Sequence, residues 1–349
     1  MQDLLLFIAV LAVLILGHEL GHFLVARAWK IRIEEFGLGF PPRITTLFVA
    51  GGTRFTLNAI PLGGFVRPTG EDDSSVAGGL AAAPRLARAT VLLAGPGANL
   101  VLAFLAFTTA FKFASPDPSK VLITAVSPAS PAAQAGLEEG DLVMDVEGTP
   151  VTSIDVLRSV VASHLETPIH LTVSRAGSEI IVTMTARGTP PPGEGPIGVT
   201  LGNPARTLAT AEAVRAGWIA TRDHFLSVLR LPGQWLRGEL RPEDTRITGL
   251  KGMYDLLVWA GDVDRAAQRP FVTLNFIGFL SASLALANLL PIPALDGGRL
   301  LFLGLEVVIG RRISSRTEGW AHAVGYALLL GLMLYVNLQD FVNPIPLPH

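Results

Sequence analysis

Four apolar runs, residues 4–26, 89–113, 271–295 and 320–337, are each long enough to cross a bilayer, which takes about 17–25 helical residues. Each must be helical, because hydrocarbon offers a backbone N–H or C=O no partner outside its own segment. Only 16% of the residues are charged, against about a quarter in a soluble domain. The expected fold is an α-helical membrane protein with four transmembrane helices. The first run reads as a span rather than a cleaved leader, since "MQD" supplies no basic flank and no small-residue cleavage site precedes Arg27.

Lys and Arg collect in two connections. Between runs one and two stand Arg27, Lys30, Arg32, Arg43, Arg54, Arg67, Arg85 and Arg88; between runs three and four stand Arg299, Arg311, Arg312 and Arg316. Both connections are therefore expected in the cytoplasm, which puts both termini and the long segment 114–270 outside. A net charge of −2 gives nucleic acid nothing to bind. Without cysteine there is no disulfide framework and no thiolate ligand or nucleophile.

The connections have their own grammar. Residues 30–70 alternate between runs such as "TRFTLNAI" and Gly/Pro clusters, which predicts a β-hairpin region. It either dips toward the membrane, where a protein wall or a wet cavity tolerates irregular backbone, or is a small surface element. Residues 119–201 predict a separate soluble α/β domain. Its strands are "KVLITAV" and "DLVMDVEG", its hairpin turns at Ala176-Gly177, and a helix from Ser153 carries Ile154, Leu157, Val161 and Leu165 on one face. Residues 205–240 read as helical and amphipathic, with Arg206, Arg215, Arg222, Arg230 and Arg237 near heptad spacing among Trp218, Phe225, Leu229 and Trp235. That stripe suits a membrane-surface helix and an ordinary packed helix equally. Pro232 and Gly233 are expected to break it.

The chemistry concentrates in "LILGHELGHFLVA", residues 14–26. His18 and His22 are four apart, so on a helix both imidazoles leave one face and can share an ion. Glu19 stands about 100° round and can reach a water on that ion; this is H-E-x-x-H, two zinc ligands and a general base. His18 lies about 21 Å along the helix from Leu4, inside a core about 30 Å thick. Ionisable groups at that depth are costly unless paired or metal-bound. Gly17 and Gly21 leave room for another backbone. A hydrolytic zinc needs a third protein ligand. Asp296 is the acid between Phe271 and Arg299, and Pro291 and Pro293 must unwind the backbone just before it. Glu306 and His322 are weaker candidates. Asn99, beside Gly95-Pro96-Gly97 in the second span, reads chiefly as interhelical glue. His164 and His170 fall in the soluble segment, His224 in the amphipathic one and His349 in the tail, away from any metal.

Two resemblances rest on these motifs. "SPASPAAQAGLEEGDLVMDVEGTPV" resembles a bacterial PDZ domain at Ser127, Pro128, Ala129, Ala135, Gly136, Leu137, Gly140 and Asp141. "GHELGH", "GPGAN" and "NLLPIPALDGG" together resemble the site-2 protease family of intramembrane zinc metalloproteases, in its PDZ-containing bacterial branch, over nearly the whole chain. That resemblance implies residues 1–113 and 271–349 as halves of a transmembrane core, a PDZ domain at 119–201 outside the cytoplasm, and an amphipathic segment at 205–270. It implies His18, His22 and Asp296 as Zn2+ ligands, Glu19 as catalytic base and Asn288 as a contact to the substrate backbone. The substrate would be a single-span transmembrane protein, such as an anti-sigma-factor-like protein or a signal-peptide remnant, cut in the lipid of a bacterial inner membrane. Regulated intramembrane proteolysis would follow trimming of its ectodomain, with the PDZ domain as size filter. "ITGLKGM" stands where the family often has "SGPxGI", and there is room for one PDZ domain rather than two. Two other readings remain: a closed-chamber zincin using Glu306, and a PDZ-bearing membrane scaffold with a degenerate metal site.

Overall fold

The computed structural model describes residues 2–71, 73, 75–239, 246–345 and 347; His349 lies outside them. Helix α1 (Gln2–Ala28) leads into β1 (Ile33–Ala50), β2 (Thr53–Pro68) and α2 (Arg85–Ala114). There follow β3 (Ser115–Pro116), β4 (Val121–Val126), α3 (Pro131–Gln134), β5 (Leu142–Val146), β6 (Thr149–Pro150), α4 (Ile154–Ser163), β7 (Pro168–Arg175), β8 (Ser178–Thr185), β9 (Val199–Gly202) and β10 (Ala205–Arg206). The chain ends with α5 (Thr210–Leu236), α6 (Leu250–Ala266), α7 (Phe271–Leu289), α8 (Asp296–Ile309) and α9 (Ser315–Val342). Among the described residues, α1, α2, α7 and α9 are the helices long and apolar enough to cross a membrane. The third apolar run is thus split: helix to Leu289, then a turn at 290–295, where Pro291 and Pro293 withhold two N–H groups.

The chain divides into two compact units, residues 1–107, 216–258 and 275–349 in one, and residues 108–215 and 259–274 in the other. In the first, α1 and α2 touch backbone to side: a Cβ on Gly21 would stand 2.3 Å from the carbonyl oxygen of Ala94. Only a residue without a side chain lets the helices approach so far. Val10, Leu14 and Leu280 pack α1 against α7, and Ala103, Phe107 and Ala282 pack α2 against it.

The strands β1 and β2 each fold back on themselves, so the ribbon is four strands wide. Residues 43–50 pair with 53–58, residues 54–57 with 35–38, and residues 33–38 with 64–68. The last forms a sheet edge beside α1. At the far end Ile44, Leu47, Phe48 and Val49 are exposed.

Helix α5 runs through Pro232 and Gly233 without the expected break, and just past its end Arg237 N–H donates to the carbonyl of Gly233 at 3.2 Å. The missing proline N–H does not end the helix. The start of α6 is capped from α9: Asp340 Oδ2 accepts from the N–H of Gly249 at 2.8 Å and of Gly252 at 3.1 Å, and Asn337 Oδ1 accepts from Leu250 at 3.0 Å. A Cβ at 249 or 252 would lie within 3.0 Å of Asp340 Oδ2. Both glycines of "ITGLKGM" thus stand where a side chain would crowd this cap.

The second unit is built on a sheet of order β8-β7-β5-β4-β9, with β6 beside β5. Alternate residues of β4 (Val121, Ile123) and β7 (Ile169, Leu171, Val173) point inward and, with Val143 and Val146 on either side of an irregularity in β5, form a core with Leu157 and Val161 of α4. Ser153 caps α4 by accepting from Val156 N–H, but the helix ends at Ser163 and leaves Leu165 exposed. The β7–β8 hairpin turns at Ala176 and Gly177, with φ of +49° and +86°, the signature of a type I′ turn. Asp141, with no exposed side-chain surface, accepts Arg175 Nε–H and Nη2–H at 2.7 Å each and Glu138 N–H at 3.0 Å.

Burial raises the Asp141 pKa, yet the Arg175 fork and the Glu138 N–H outweigh it and hold the carboxyl below its ordinary value. A folded pKa below the unfolded value of about 3.9 gives stability that is complete above that value and fades as pH falls through the folded one. Asp141→Ala should therefore cost this unit about 3 kcal/mol at pH 7, and the wild-type advantage should shrink below about pH 4. Amide exchange of residues 121–146 in the full chain measures it; a pH-independent difference would contradict the assignment.

Candidate metal centre

Helix α1 puts His18 and His22 on one face, and their Nε2 atoms are 3.2 Å apart. Asp296, the first residue of α8, brings Oδ2 to 3.1 Å from His18 Nε2 and 3.3 Å from His22 Nε2. Ligands 2.0–2.1 Å from a tetrahedral ion stand about 3.4 Å from one another, so the triangle has the size of three vertices of a zinc site. Among the described residues this is the group of His, Asp and Glu whose ligand atoms all lie within 4.8 Å of one another.

The outer contacts fix which atoms face inward. His22 Nδ1 lies 2.7 Å from the carbonyl of Val91, which can only accept, so the proton sits on Nδ1 and Nε2 carries a lone pair. The buried amide of Asn99 lies 3.2 Å from His18 Nδ1. A half-turn of that amide exchanges its oxygen and nitrogen, and the orientation with oxygen toward Nδ1–H leaves the His18 Nε2 lone pair inward too. Asp296 Oδ2 is buried and accepts no well-formed hydrogen bond among the described residues. Three converging electron-pair donors repel unless a cation lies among them. The donor set therefore fits Zn2+.

The backbone makes room for it. A Cβ on Gly95 of α2 would stand 2.3 Å from His22 Nε2 and 2.7 Å from His18 Nε2. The turn before Asp296 is equally tight, since a Cβ on Gly297 would meet the carbonyl oxygens of Leu289 and Leu290 at 2.3 Å. Glu19 faces the same cavity, and its Oε2 accepts the N–H of Val66, on the 64–68 edge, at 3.0 Å. That cavity holds about 410 Å³ and is lined also by Gly64, Arg67, Asn288, Arg299 and Tyr326.

His18, Glu19, His22 and Asp296 thus converge. Asn288 lines the cavity, with its side-chain N–H donating to Leu284 O of its own helix. Two weaker candidates are excluded from the triangle. Glu306 is buried in a 2.7 Å ion pair with Arg88, and His322 Nδ1 accepts the N–H of Ala294 at 2.7 Å. Asn99, read from sequence as glue, touches a triangle member. Its only sequence signal is a polar side chain four residues after Gly95, one helical turn along the same face. His224 bonds Ser283 instead, at 3.0 Å.

The sequence model of peptidase family M50 matches residues 6–332. A protein of Agrobacterium fabrum named as a zinc metalloprotease is 30% identical, over 97% of this chain and 95% of its own length. One of Clostridium perfringens named likewise is 31% identical, over 95% and 96%. Zinc metalloprotease RasP of Geobacillus kaustophilus is 26% identical, over 97% and 98%.

Gly95→Ala tests the cradle. Alanine favours the helix by about 1 kcal/mol over glycine, so α2 should persist while its methyl fills the ion's place. The expected result is unchanged helical circular dichroism with at least a tenfold loss of zinc by elemental analysis; a zinc-replete variant would refute the geometry.

Proposed function

The chain belongs to peptidase family M50, the site-2 protease family, and is a zinc metalloprotease of the membrane; on that premise we propose that it hydrolyses a peptide bond within or beside the transmembrane segment of a single-span protein. The observation that carries this is the convergence of His18, His22 and Asp296 from two helices, with Glu19 on the same cavity. His18, His22 and Asp296 are the ligands in this reading. Zinc held there supplies a Lewis acid and a water of lowered pKa.

The chain's own groups do the rest. Glu19 takes a proton from the attacking water and returns it to the leaving amine, and the Val66 N–H holds its carboxylate toward the cavity. A substrate helix hides its amides in its own hydrogen bonds, so the cut segment must unwind before attack. The 64–68 edge, next to Glu19, is the place where an unwound segment can add as a strand, with Asn288 lining the same cavity. Support for a membrane-associated ribbon comes from its exposed Ile44, Leu47, Phe48 and Val49, side chains suited to lipid.

Orientation follows from charge. Arg67 and Arg299, from the two Arg-rich connections, line the metal cavity, which favours a site facing the cytoplasm of a bacterial inner membrane. A second, polar cavity of about 260 Å³ shares Glu71 and Arg299 with the first, and water is proposed to enter from that side. The sheet domain then lies outside the cytoplasm. Its resemblance to PDZ domains supports a filter that passes substrates already trimmed by another protease, in regulated proteolysis. An intact Glu19 speaks against the scaffold reading, since a buried acid gives a scaffold nothing.

Detergent-purified wild type should hold about one zinc, and Asp296→Ala should lose it. Glu19→Gln should keep the metal and cleave a generic single-span substrate about 10²–10⁴-fold more slowly. Deleting 119–201 should abolish the preference for trimmed over intact substrate while the zinc stays; unchanged selectivity would remove the filter.

A further inference from the structure

We infer that His322 is a positioning residue for the metal centre, holding the backbone at Ala294 in the conformation that delivers Asp296 to His18 and His22. The inference rests on the reading that Asp296 is a metal ligand.

Ala294 has φ of +88°, a region where a Cβ crowds the backbone and where glycine is the usual occupant. A non-glycine residue stays there only when its surroundings over-determine it. Ala294 stands two residues before Asp296, in a turn short of internal donors because Pro291 and Pro293 have no N–H. Within the turn Ile292 N–H donates to Leu290 O at 2.7 Å and Leu295 N–H to Ile292 O at 3.1 Å. The Ala294 N–H goes elsewhere, to His322 Nδ1 of α9 at 2.7 Å.

Helix α9 grips the turn at two points. Three residues beyond His322, on the same face, Gly325 abuts Pro293 so closely that a Cβ there would stand 2.1 Å from the Pro293 carbonyl oxygen. His322 is itself held in place. Accepting at Nδ1 puts its proton on Nε2, which is 3.7 Å from Glu318 one turn earlier, and its ring centroid is 5.7 Å from that of Phe302 on α8. The arrangement reaches from α9, through one backbone amide, to the carboxylate that closes the metal triangle. Removing the imidazole frees Ala294 to relax toward negative φ, and Asp296 then leaves its position.

The test uses the full chain in detergent and measures zinc retention against a competing chelator, with cleavage recorded in parallel. The variants are His322→Ala, His322→Asn, Ala294→Gly, the double variant Ala294→Gly/His322→Ala, and Asp296→Ala as control. His322→Ala should weaken zinc binding about 10–100-fold, as loss of an outer-shell partner does. His322→Asn should recover most of it, since a carboxamide oxygen can accept the same N–H. Glycine takes positive φ unaided, so His322→Ala should cost much less in the Ala294→Gly background. That non-additivity is what a general packing role would not produce. Wild-type zinc affinity in His322→Ala, failure of His322→Asn to recover it, or an equal loss in both backgrounds would overturn the inference while leaving Asp296 as a ligand. A zinc-replete Asp296→Ala would overturn the ligand reading, and this inference with it.

Discussion

Two imidazole nitrogens and a carboxylate oxygen lie 3.1–3.3 Å apart between helices whose sequence is built for hydrocarbon. In so apolar a setting that juxtaposition is unfavourable unless a cation compensates it. Much of the surrounding structure reads as the means of assembling the triangle. Gly21 lets α2 approach α1, and Gly95 keeps the approach clear of the ion's place. Val91 and Asn99, also on α2, take the outer nitrogens of the two histidines. One helix thus supplies the room and the orientation of both imidazoles on its neighbour. A hydrolytic site needs this arrangement, since a ligand free to turn away would spend part of its time bound to water or to a proton.

The half of this arrangement that is written in local pattern is legible in the amino-acid sequence. The spans follow from apolar runs, the histidine pair from a spacing of four, and the β7–β8 hairpin from an Ala-Gly turn between alternating residues. Asp296 is legible because acids are so rare in apolar runs and because two prolines mark where its helix must stop. The remainder is hidden because it depends on which distant segments meet. Glu306 has the same local character as Asp296, an acid in an apolar helix. Only the fold reveals that Arg88, from another connection, neutralises it. Asn99 has the composition of interhelical glue, and what sets it apart is its place 3.2 Å from an imidazole of the triangle, His18. The course of α5 through Pro232 shows the opposite failure, a local rule overridden in a helix that continues to Leu236.

Local rules are broken together in one place. Between Leu289 and Gly298 the chain ends a helix, places two prolines, holds an alanine at positive φ and begins a new helix at a residue with no side-chain cap. Each departure costs stability, and a soluble loop of this length would relax most of them. Here relaxation is blocked on two sides, by α9 through the N–H of Ala294 and by the close carbonyl contacts at Gly297. A helix running unbroken through 296 would bury its backbone amides but would point the carboxylate by helical phase alone. The turn gives up those amide bonds and in exchange aims one oxygen at two nitrogens on another helix. Conflict between local preference and global fold, concentrated in so few residues, is what a site selected for chemistry rather than for stability looks like.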